Sequence, residues 1–331
     1  MRVIIGAFLI SFFLAGMTGS VESREISRDF HESFEVSPGF GLRLRQGDGD
    51  VFIKKWDKDI LDVKIEYVAE YKSIGGGDRD FKVNFRKKNK IIEISGVEKS
   101  TPIIGFHIFN IKEYTYTIYA PDYVTLDIDG DDGEIYIDDW RANIEIRLDD
   151  GVAVLSGIEC DNTIIRIEDG DLDIEDHKGD LDIDCDDGSI DIFKSTIPDC
   201  RIRGMDGILN IGDTKGDFDI ELDDGDADIY RLLSKRFYYQ SSDGDVDIEL
   251  LKTDELDLDI RTDDGDVKLL LEKGISVTFT IDVDDGRIKI DLPSGEITQK
   301  DDRWMSGKLR DGKGRVRIRT EDGDVTFKEI R

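Results

Sequence analysis

Pairs of acidic residues stand directly before glycines at regular intervals in the second half of this chain. The pairs that we take as candidate metal ligands are Asp131 and Asp132, Asp149 and Asp150, Asp186 and Asp187, Asp223 and Asp224, Asp263 and Asp264, and Asp284 and Asp285. Hard divalent cations take oxygen ligands from carboxylates and backbone carbonyls. These residues therefore predict a row of Ca²⁺ sites, and the sequence indicates no other cofactor.

Known calcium-binding spacings argue against a conventional site at these pairs. If Asp127, Asp129 and Asp131 are aligned with an EF-hand loop, Asp132 fills the position that requires glycine. The Gly-Gly-x-Gly-x-Asp repeat of calcium-binding β-rolls does not occur in the sequence either. The alternative is a solvated acidic edge, where Asp side chains accept hydrogen bonds from the turn backbone and discourage edge-to-edge aggregation.

The acidic pairs belong to a sequence repeat built on an Asp-Gly dipeptide. Its ten glycines are Gly133, Gly151, Gly170, Gly188, Gly207, Gly225, Gly244, Gly265, Gly286 and Gly323. They stand 18 to 21 residues apart, except for a last step of 37 that we interpret as two periods with one Asp-Gly lost. Such a period is typical of stacked repeats. Apolar residues, mostly isoleucine, occur five positions before and four after the glycines, which predicts strands with one buried face.

Two all-β folds fit this repeat. In a parallel β-solenoid each repeat is one coil, and equivalent positions stack about 4.8 Å apart. In an antiparallel hairpin stack each Asp-Gly is a type I′ turn, and the glycine supplies the positive φ of a tight corner. The coils of a solenoid must match in circumference, whereas the outer loops of hairpins need not. The constant period therefore favours a solenoid of about ten coils.

The first 20 residues predict a secretory signal peptide. Arg2 precedes an apolar run from Val3 to Met17, which is short for the ~20 residues of a bilayer span. We therefore expect export to the periplasm, the cell surface or the medium, and a membrane association only if the segment stays uncleaved. In that oxidising compartment, Cys160, Cys185 and Cys200 are either small buried hydrophobic side chains or include a disulfide.

Charge separates the rest of the chain into two parts. The whole chain has a net charge of −31, and residues 121–300 alone contain 18 Lys and Arg against 52 Asp and Glu. We therefore divide it into an N-terminal β cap over 21–120 and an acidic Asp-Gly solenoid over 121–331. Nucleic acid is excluded as a partner, because the acidic part would repel a polyanion.

Basic residues form two small groups in this acidic chain. The first group is Arg86, Lys87, Lys88 and Lys90, and its three lysines lie between two apolar stretches, which predicts a hairpin with a basic tip. Arg315, Arg317 and Arg319 alternate with apolar residues and predict the outward face of one strand. Each group is either a solvated face or a contact for the acidic edge of another molecule.

Four short phrases of the sequence are distinctive, namely residues 34–39, Gly49–Ile53 with Trp56, residues 243–248 and residues 322–325. These phrases resemble the bacterial adhesin-like family of exported β-strand-repeat domains. The resemblance covers roughly residues 30–331, and it implies an exported β-solenoid of unknown function with an adhesive or envelope role and no known active site. This chain departs from the family in its density of Asp, where relatives tend to use Ser and Thr.

The sequence as a whole predicts a non-catalytic interaction module whose partner is a protein or an envelope glycan surface. A carbohydrate-active β-helix enzyme is the main alternative, since paired carboxylates perform acid–base chemistry on sugars. Here, however, acidic pairs recur at nearly every corner, so no pair is singled out. The largest break in the repeat, over residues 293–315, is interpreted as a degenerate coil with a basic terminal face that caps the solenoid, and a binding site is the alternative. A purely structural spacer is the third possibility.

Overall fold

The chain forms a parallel β-solenoid in this computed structural model, which describes residues 22–76, 79–100 and 104–330. The predicted signal segment lies outside these residues. The strands are β1 (Glu22–Glu35), β2 (Gly41–Gln46), β3 (Asp50–Lys55), β4 (Ile60–Gly76), β5 (Arg79–Lys88), β6 (Ile91–Ser100), β7 (Ile104–Ala120), β8 (Thr125–Gly130), β9 (Glu134–Asp138), β10 (Ile144–Ser156), β11 (Glu159–Glu175), β12 (Lys178–Phe193), β13 (Thr196–Gly212), β14 (Lys215–Leu232), β15 (Arg236–Asp243), β16 (Val246–Leu250), β17 (Asp257–Asp264), β18 (Val267–Glu272), β19 (Val277–Asp285), β20 (Ile288–Asp291), β21 (Gly295–Lys300), β22 (Trp304–Leu309), β23 (Gly314–Asp322) and β24 (Val325–Ile330).

Each repeat is one coil with two strand segments that meet at the Asp-Gly corner. We call the segment before the corner glycine the first limb, the segment after it the second limb, and the whole coil a rung. Strands β10 to β14 run through the corner, whereas later rungs divide into separate strands. Equivalent positions pair in parallel register, so that Ile146 lies beside Ile165 and Ile165 beside Ile183. The parallel solenoid is thereby confirmed, and the hairpin stack is wrong.

The core lies between the two limbs. The ten residues five positions before the corner glycines are all fully buried, and they include Ile165, Ile183 and Ile202. The residues four positions after are buried as well, except Ile290 on the edge strand β20. Strand alternation sends the residues between them to the outside. Each limb therefore has an inner apolar face and an outer face that is open to solvent.

A column of corner glycines runs the length of the stack. A β-carbon placed on Gly151 would lie closer than 3 Å to the carbonyl oxygen of Gly133, and one on Gly188 would meet the oxygen of Gly170 in the same way. Gly133 and Gly188 also have φ angles of 119° and 139°, which L side chains rarely adopt. Glycine is thus required both by the predicted corner and by the backbone of the next rung.

The rungs do not follow chain order at either end. The rung at Gly49, formed by β2 and β3, stacks directly on the rung formed by β8 and β9, so the ladder continues across residue 121. At the other end β23 pairs with β17 on one side and β19 on the other. The last rung of the chain is therefore inserted between the rungs at Gly265 and Gly286.

This insertion explains the 37-residue step between the last two corner glycines. The residues between them form the antiparallel hairpin β21–β22, and β22 pairs antiparallel with β19. The interpretation of this step as two periods, with a degenerate coil at 293–315, is wrong because a hairpin occupies the space of the missing coil. Capping by this segment is confirmed, since the hairpin covers the end of the first-limb ladder.

The N-terminal end is closed by antiparallel strands. Strand β4 pairs with β1 and β7, while β5 and β6 form the predicted hairpin with its turn at Asn89, where φ is 57°. Strand β6 continues the first-limb ladder beyond β2, and β7 continues the second limb beyond β3. Aromatic rings fill the end of the core, with Phe81 stacked on Tyr67 at a centroid distance of 4.4 Å.

A mid-stack corner glycine should tolerate no side chain. We expect Gly188→Ala to lower the free energy of unfolding by about 2–4 kcal/mol, because its β-carbon meets backbone that cannot move aside and its φ is unfavourable. Gly47→Ala is the matched control, since the nearest atom to its β-carbon is 3.8 Å away. Urea unfolding measures both variants. Equal stability of the two would contradict the glycine column.

Candidate interaction surface

The acidic pairs lie on one exposed edge of the solenoid. The residue immediately before each corner glycine is stacked in register, so that Asp150 lies beside Asp169, Asp169 beside Asp187, and Asp224 beside Asp243. All twelve candidate ligands are solvent-exposed. The structure therefore brings the predicted residues together as a row with a rung spacing of about 4.8 Å.

The row does not converge on a metal centre. In residues 22–76, 79–100 and 104–330, no three Asp, Glu, His or Cys side chains cluster in a way that could hold a metal ion. The reason is geometric, since stacking spaces equivalent carboxylates along a line rather than around a point. Calcium binding at these residues stays a prediction.

Crowding at the corner changes the acidity of individual carboxyl groups. The pKa of Asp131 is raised, first by partial desolvation and then by repulsion from the carboxylates of Asp149 and Asp129. Desolvation, followed by repulsion from Asp243 and Asp206, raises the pKa of Asp224 as well. Both shifts have the sign expected when like charges recur on neighbouring rungs.

A second row of carboxylates, directly after the corner glycines, has a structural role. Asp226 accepts a hydrogen bond from the backbone N–H of Asp245 at 2.9 Å, and Asp245 accepts one from Asp266 at 2.8 Å. In the same way Asp266 accepts a hydrogen bond from the backbone N–H of Asp324, and Asp324 accepts one from the backbone N–H of Arg287. Each carboxylate thus binds the next rung through its backbone, which is the role proposed above for a solvated acidic edge.

The outer face of the first limb is balanced by ion pairs between rungs. Arg166 lies 3.2 Å from Asp182, and Arg203 lies 3.2 Å from Glu221. Arg315 and Arg317 contact Asp257 and Asp259 at 2.8 and 3.0 Å. These two arginines therefore pair within the chain, instead of forming a purely solvated face or an intermolecular contact. Exposed pairs of this kind contribute less than about 1 kcal/mol each.

The outer face of the second limb carries an aromatic strip, defined by Phe193, Gly212 and Tyr230. These residues are neighbours on three successive rungs. A β-carbon on Gly212 would collide with the ring of Tyr230, so the ring lies over the Gly212 backbone. The rings of Phe193 and Tyr230 are 6.1 Å apart and tilted by 38°, and Tyr230 is 42% exposed.

Polar groups run beside the aromatic strip. Asp191, Asn210 and Asp228 lie in register two residues before the strip on the same three rungs, and Asn210 donates a hydrogen bond to Asp191 at 2.7 Å. Sequence reasoning missed this arrangement. The available signal was positional, because all three strip residues stand five positions after a corner glycine.

A second aromatic group lies on the same outer face, nearer the N-terminal end. The rings of Phe52 and Tyr136 stack in parallel at 5.1 Å, and Trp56 packs against Tyr119 at 5.5 Å. Three rungs separate Tyr136 from Phe193, which corresponds to about 14 Å along the stack. One extended partner can therefore contact both groups.

Buried polar residues occupy the turn opposite the acidic corner. His177 is fully buried, and its Nε2 lies 3.0 Å from the hydroxyl of Thr163, whereas its Nδ1 has no hydrogen-bond partner among the described residues. Burial lowers the pKa of His177 to about 4.

The three cysteines are buried and free, and burial raises the pKa of Cys185 to about 11. They are small buried side chains, as one of the two alternatives predicted.

The stacked corners, the packed core and the open outer faces define a β-solenoid repeat domain. Residues 41–328 match the family described as Toastrack DUF4097, and the chain belongs to this family. This confirms the resemblance drawn from the sequence. A search of curated proteins finds no match.

The solved structures to which this chain is similar come from Bacteroides, Parabacteroides and Clostridium. Adhesin-like proteins from Bacteroides fragilis and Parabacteroides merdae give TM-scores of 0.35 and 0.32 at 14% and 8% identity, covering 93% and 95% of this chain and 97% and 98% of theirs. A cell-adhesion-like protein from Clostridium sporogenes gives 0.17 at 12% identity, covering 92% of this chain and all of its own. Superpositions this loose do not bear on function.

The described part of the chain contains no helix long and apolar enough to span a bilayer.

The carboxylates after the corner glycines should contribute to stability as hydrogen-bond acceptors. We expect Asp245→Ala to lower the free energy of unfolding by about 1 kcal/mol, because the N–H of Asp266 loses its partner. Asp245→Asn keeps an acceptor oxygen and should be nearly neutral. Asp243→Ala, in the exposed row before the glycine, is the control and should be neutral or stabilising. Equal losses at positions 243 and 245 would refute this role.

His177 should make the protein sensitive to mild acid. Its pKa is about 4 when folded and 6.5 when unfolded, so its contribution is complete above about pH 6.5 and is lost as pH falls toward 4. Between pH 7 and 5 this amounts to about 2 kcal/mol. Urea unfolding at both pH values should show that loss in the parent protein and a smaller one in His177→Gln. An unchanged pH dependence in the variant would assign it to other groups.

Proposed function

We propose that this protein is an exported, non-catalytic module that binds an extended partner along the outer faces of its solenoid. The observation that carries the proposal is the aromatic strip at Phe193 and Tyr230, with polar groups alongside it on consecutive rungs. A row of repeated elements fits a repeated ligand, because each rung offers the same chemistry about 4.8 Å further on.

The partner that fits this surface best is an uncharged or weakly charged glycan of the cell envelope. Flat aromatic rings pack against the C–H faces of sugar rings, and the amide of Asn210 and the carboxylate of Asp228 offer hydrogen-bond partners for hydroxyl groups. Phe52 and Tyr136 extend the surface toward the N-terminal end. Nearby carboxylates disfavour strongly anionic polymers.

The alternative of a carbohydrate-active enzyme lacks a distinguishing feature on this surface. Acid–base chemistry on a glycosidic bond uses one pair of carboxylates with separate roles. In the described residues the corner carboxylates recur from rung to rung in the same exposed setting. A repeated row supports recognition of a surface rather than one reaction centre.

Loss of the aromatic strip should abolish glycan binding. We expect the parent protein to be retained by insoluble neutral β-linked polysaccharides and by peptidoglycan sacculi in a sedimentation assay, and Tyr230→Ala with Phe193→Ala to lose at least about tenfold in affinity. Tyr238→Ala, which removes a half-buried ring on the outer face of the first limb, is the matched control. No retention on any of these polymers, or an equal loss in the control, would contradict the proposal.

The acidic edge is proposed to bind Ca²⁺ weakly at several positions. The ladder of carboxylates before the corner glycines carries unrelieved repulsion, which a divalent cation reduces. Calcium added to EDTA-treated protein should therefore raise the midpoint of thermal unfolding steadily with concentration. NaCl and Mg²⁺ at equal ionic strength are the controls. An equal rise in all three salts would indicate screening alone and contradict specific Ca²⁺ binding.

A further inference from the structure

A depression of about 290 Å³ lies on the outer face of the first limb, at the N-terminal end of the stack. It is formed where the hairpin β5–β6 continues the ladder beyond β2. We call it the arginine depression. The side chains that surround it are Arg43, Arg45, Asn84, Arg86, Glu93 and Ser95.

The shape of the arginine depression follows from strand register. Ser95 on β6 lies between Asn84 on β5 and Arg45 on β2, so a short side chain is flanked by two longer ones. In the neighbouring row, Glu93 lies between Arg86 and Arg43. Alternation of the pleat places all of these residues on the outer face. Donor groups from three strands, together with the one carboxylate of Glu93, thus surround one low point.

The arginines differ in how far they are already neutralised. Arg43 donates to Asp127 at 2.7 Å and lies 3.7 Å from Glu93, so its positive charge is already neutralised by ion pairs. Arg45 approaches Asp129 only to 3.7 Å and its side chain is 65% exposed. Arg86 has no carboxylate within ion-pair distance in the described part of the chain, although the protein has an excess of 31 negative charges.

Several outward arginines of the first limb are paired, in contrast to Arg86. Arg166, Arg203 and Arg317 each reach a carboxylate on a neighbouring rung. Lys88, on the same face of β5 as Arg86, likewise contacts no carboxylate among the described residues. Two basic side chains without an ion-pair partner therefore lie at this end of a molecule that is otherwise strongly acidic.

We propose that the arginine depression binds an oxyanion of the phosphate or sulfate type. The guanidinium groups of Arg45 and Arg86 present paired N–H donors, which match the geometry of such oxygens. Ser95 and Asn84 add neutral donors between them, and Asp127 holds Arg43 in place at the rim. The oxyanion is either free in solution or carried by a lipid headgroup or an envelope polymer.

The test is calorimetric titration of the full mature protein with inorganic phosphate and with sulfate at fixed ionic strength. We expect saturable binding by the parent protein. The double variant Arg45→Gln with Arg86→Gln should bind with an affinity at least about tenfold lower. Arg203→Gln is the matched control, an exposed arginine on the same face that pairs with Glu221. Its affinity should stay within about twofold of the parent.

Vesicles distinguish the sources of the oxyanion. Sedimentation with phosphatidylglycerol vesicles that fails only in Arg45→Gln with Arg86→Gln would support a lipid headgroup. Saturable phosphate binding without vesicle recruitment would support a soluble phosphate or a phosphorylated polymer. The absence of binding to phosphate, sulfate and vesicles, or an equal loss in Arg203→Gln, would overturn the proposal. Because the aromatic strip is on the other limb, failure here leaves the glycan proposal intact.

Discussion

Close stacking of backbone at the corners is the constraint on which this structure depends. Each corner glycine leaves no room for a β-carbon against the carbonyl oxygen of the next rung. The column therefore fixes where the two limbs meet on every rung, and this sets the register of both ladders. With register fixed, the isoleucines on either side of the corner superimpose and fill one continuous core. The repeat period, the continuous core and the two outer faces therefore all follow from the contact between each corner glycine and the backbone of the neighbouring rung.

The same stacking brings carboxylates of like charge close together along the edge of the solenoid. Carboxylates one rung apart repel by about 0.9 kcal/mol per pair in water. The row before the glycines stays exposed, whereas the row after them is used by backbone N–H groups of the next rung. On the first limb, arginines pair across rungs and remove part of the repulsion. The second limb also has a cross-rung ion pair, between Lys268 and Asp247, but in addition it carries the aromatic strip, and so the two faces differ in the partners that they fit.

The sequence repeat predicted the structural features that recur on every rung, but it could not predict the features that occur only once. The spacing of Gly133 to Gly265 predicted the parallel solenoid, its buried isoleucines and its exposed acidic edge. The insertion of β23 between β17 and β19 was not predictable in this way, because the spacing of repeats along the chain does not indicate which rungs are neighbours in space. The aromatic strip and the arginine depression depend on neighbours across rungs and strands, and linear spacing had to be combined with register to find them.

The order of the last rungs tests the stacking account most directly. In parallel register Arg261 lies beside Arg319, and Arg319 lies beside Asp282. Cysteines at 261 and 319 are therefore one rung apart, within the range for a disulfide, whereas those at 261 and 282 are two rungs or about 9.6 Å apart. Mild oxidation of the two double variants, read by mass spectrometry of peptides, should link only the first pair. A disulfide between 261 and 282 instead would contradict the account.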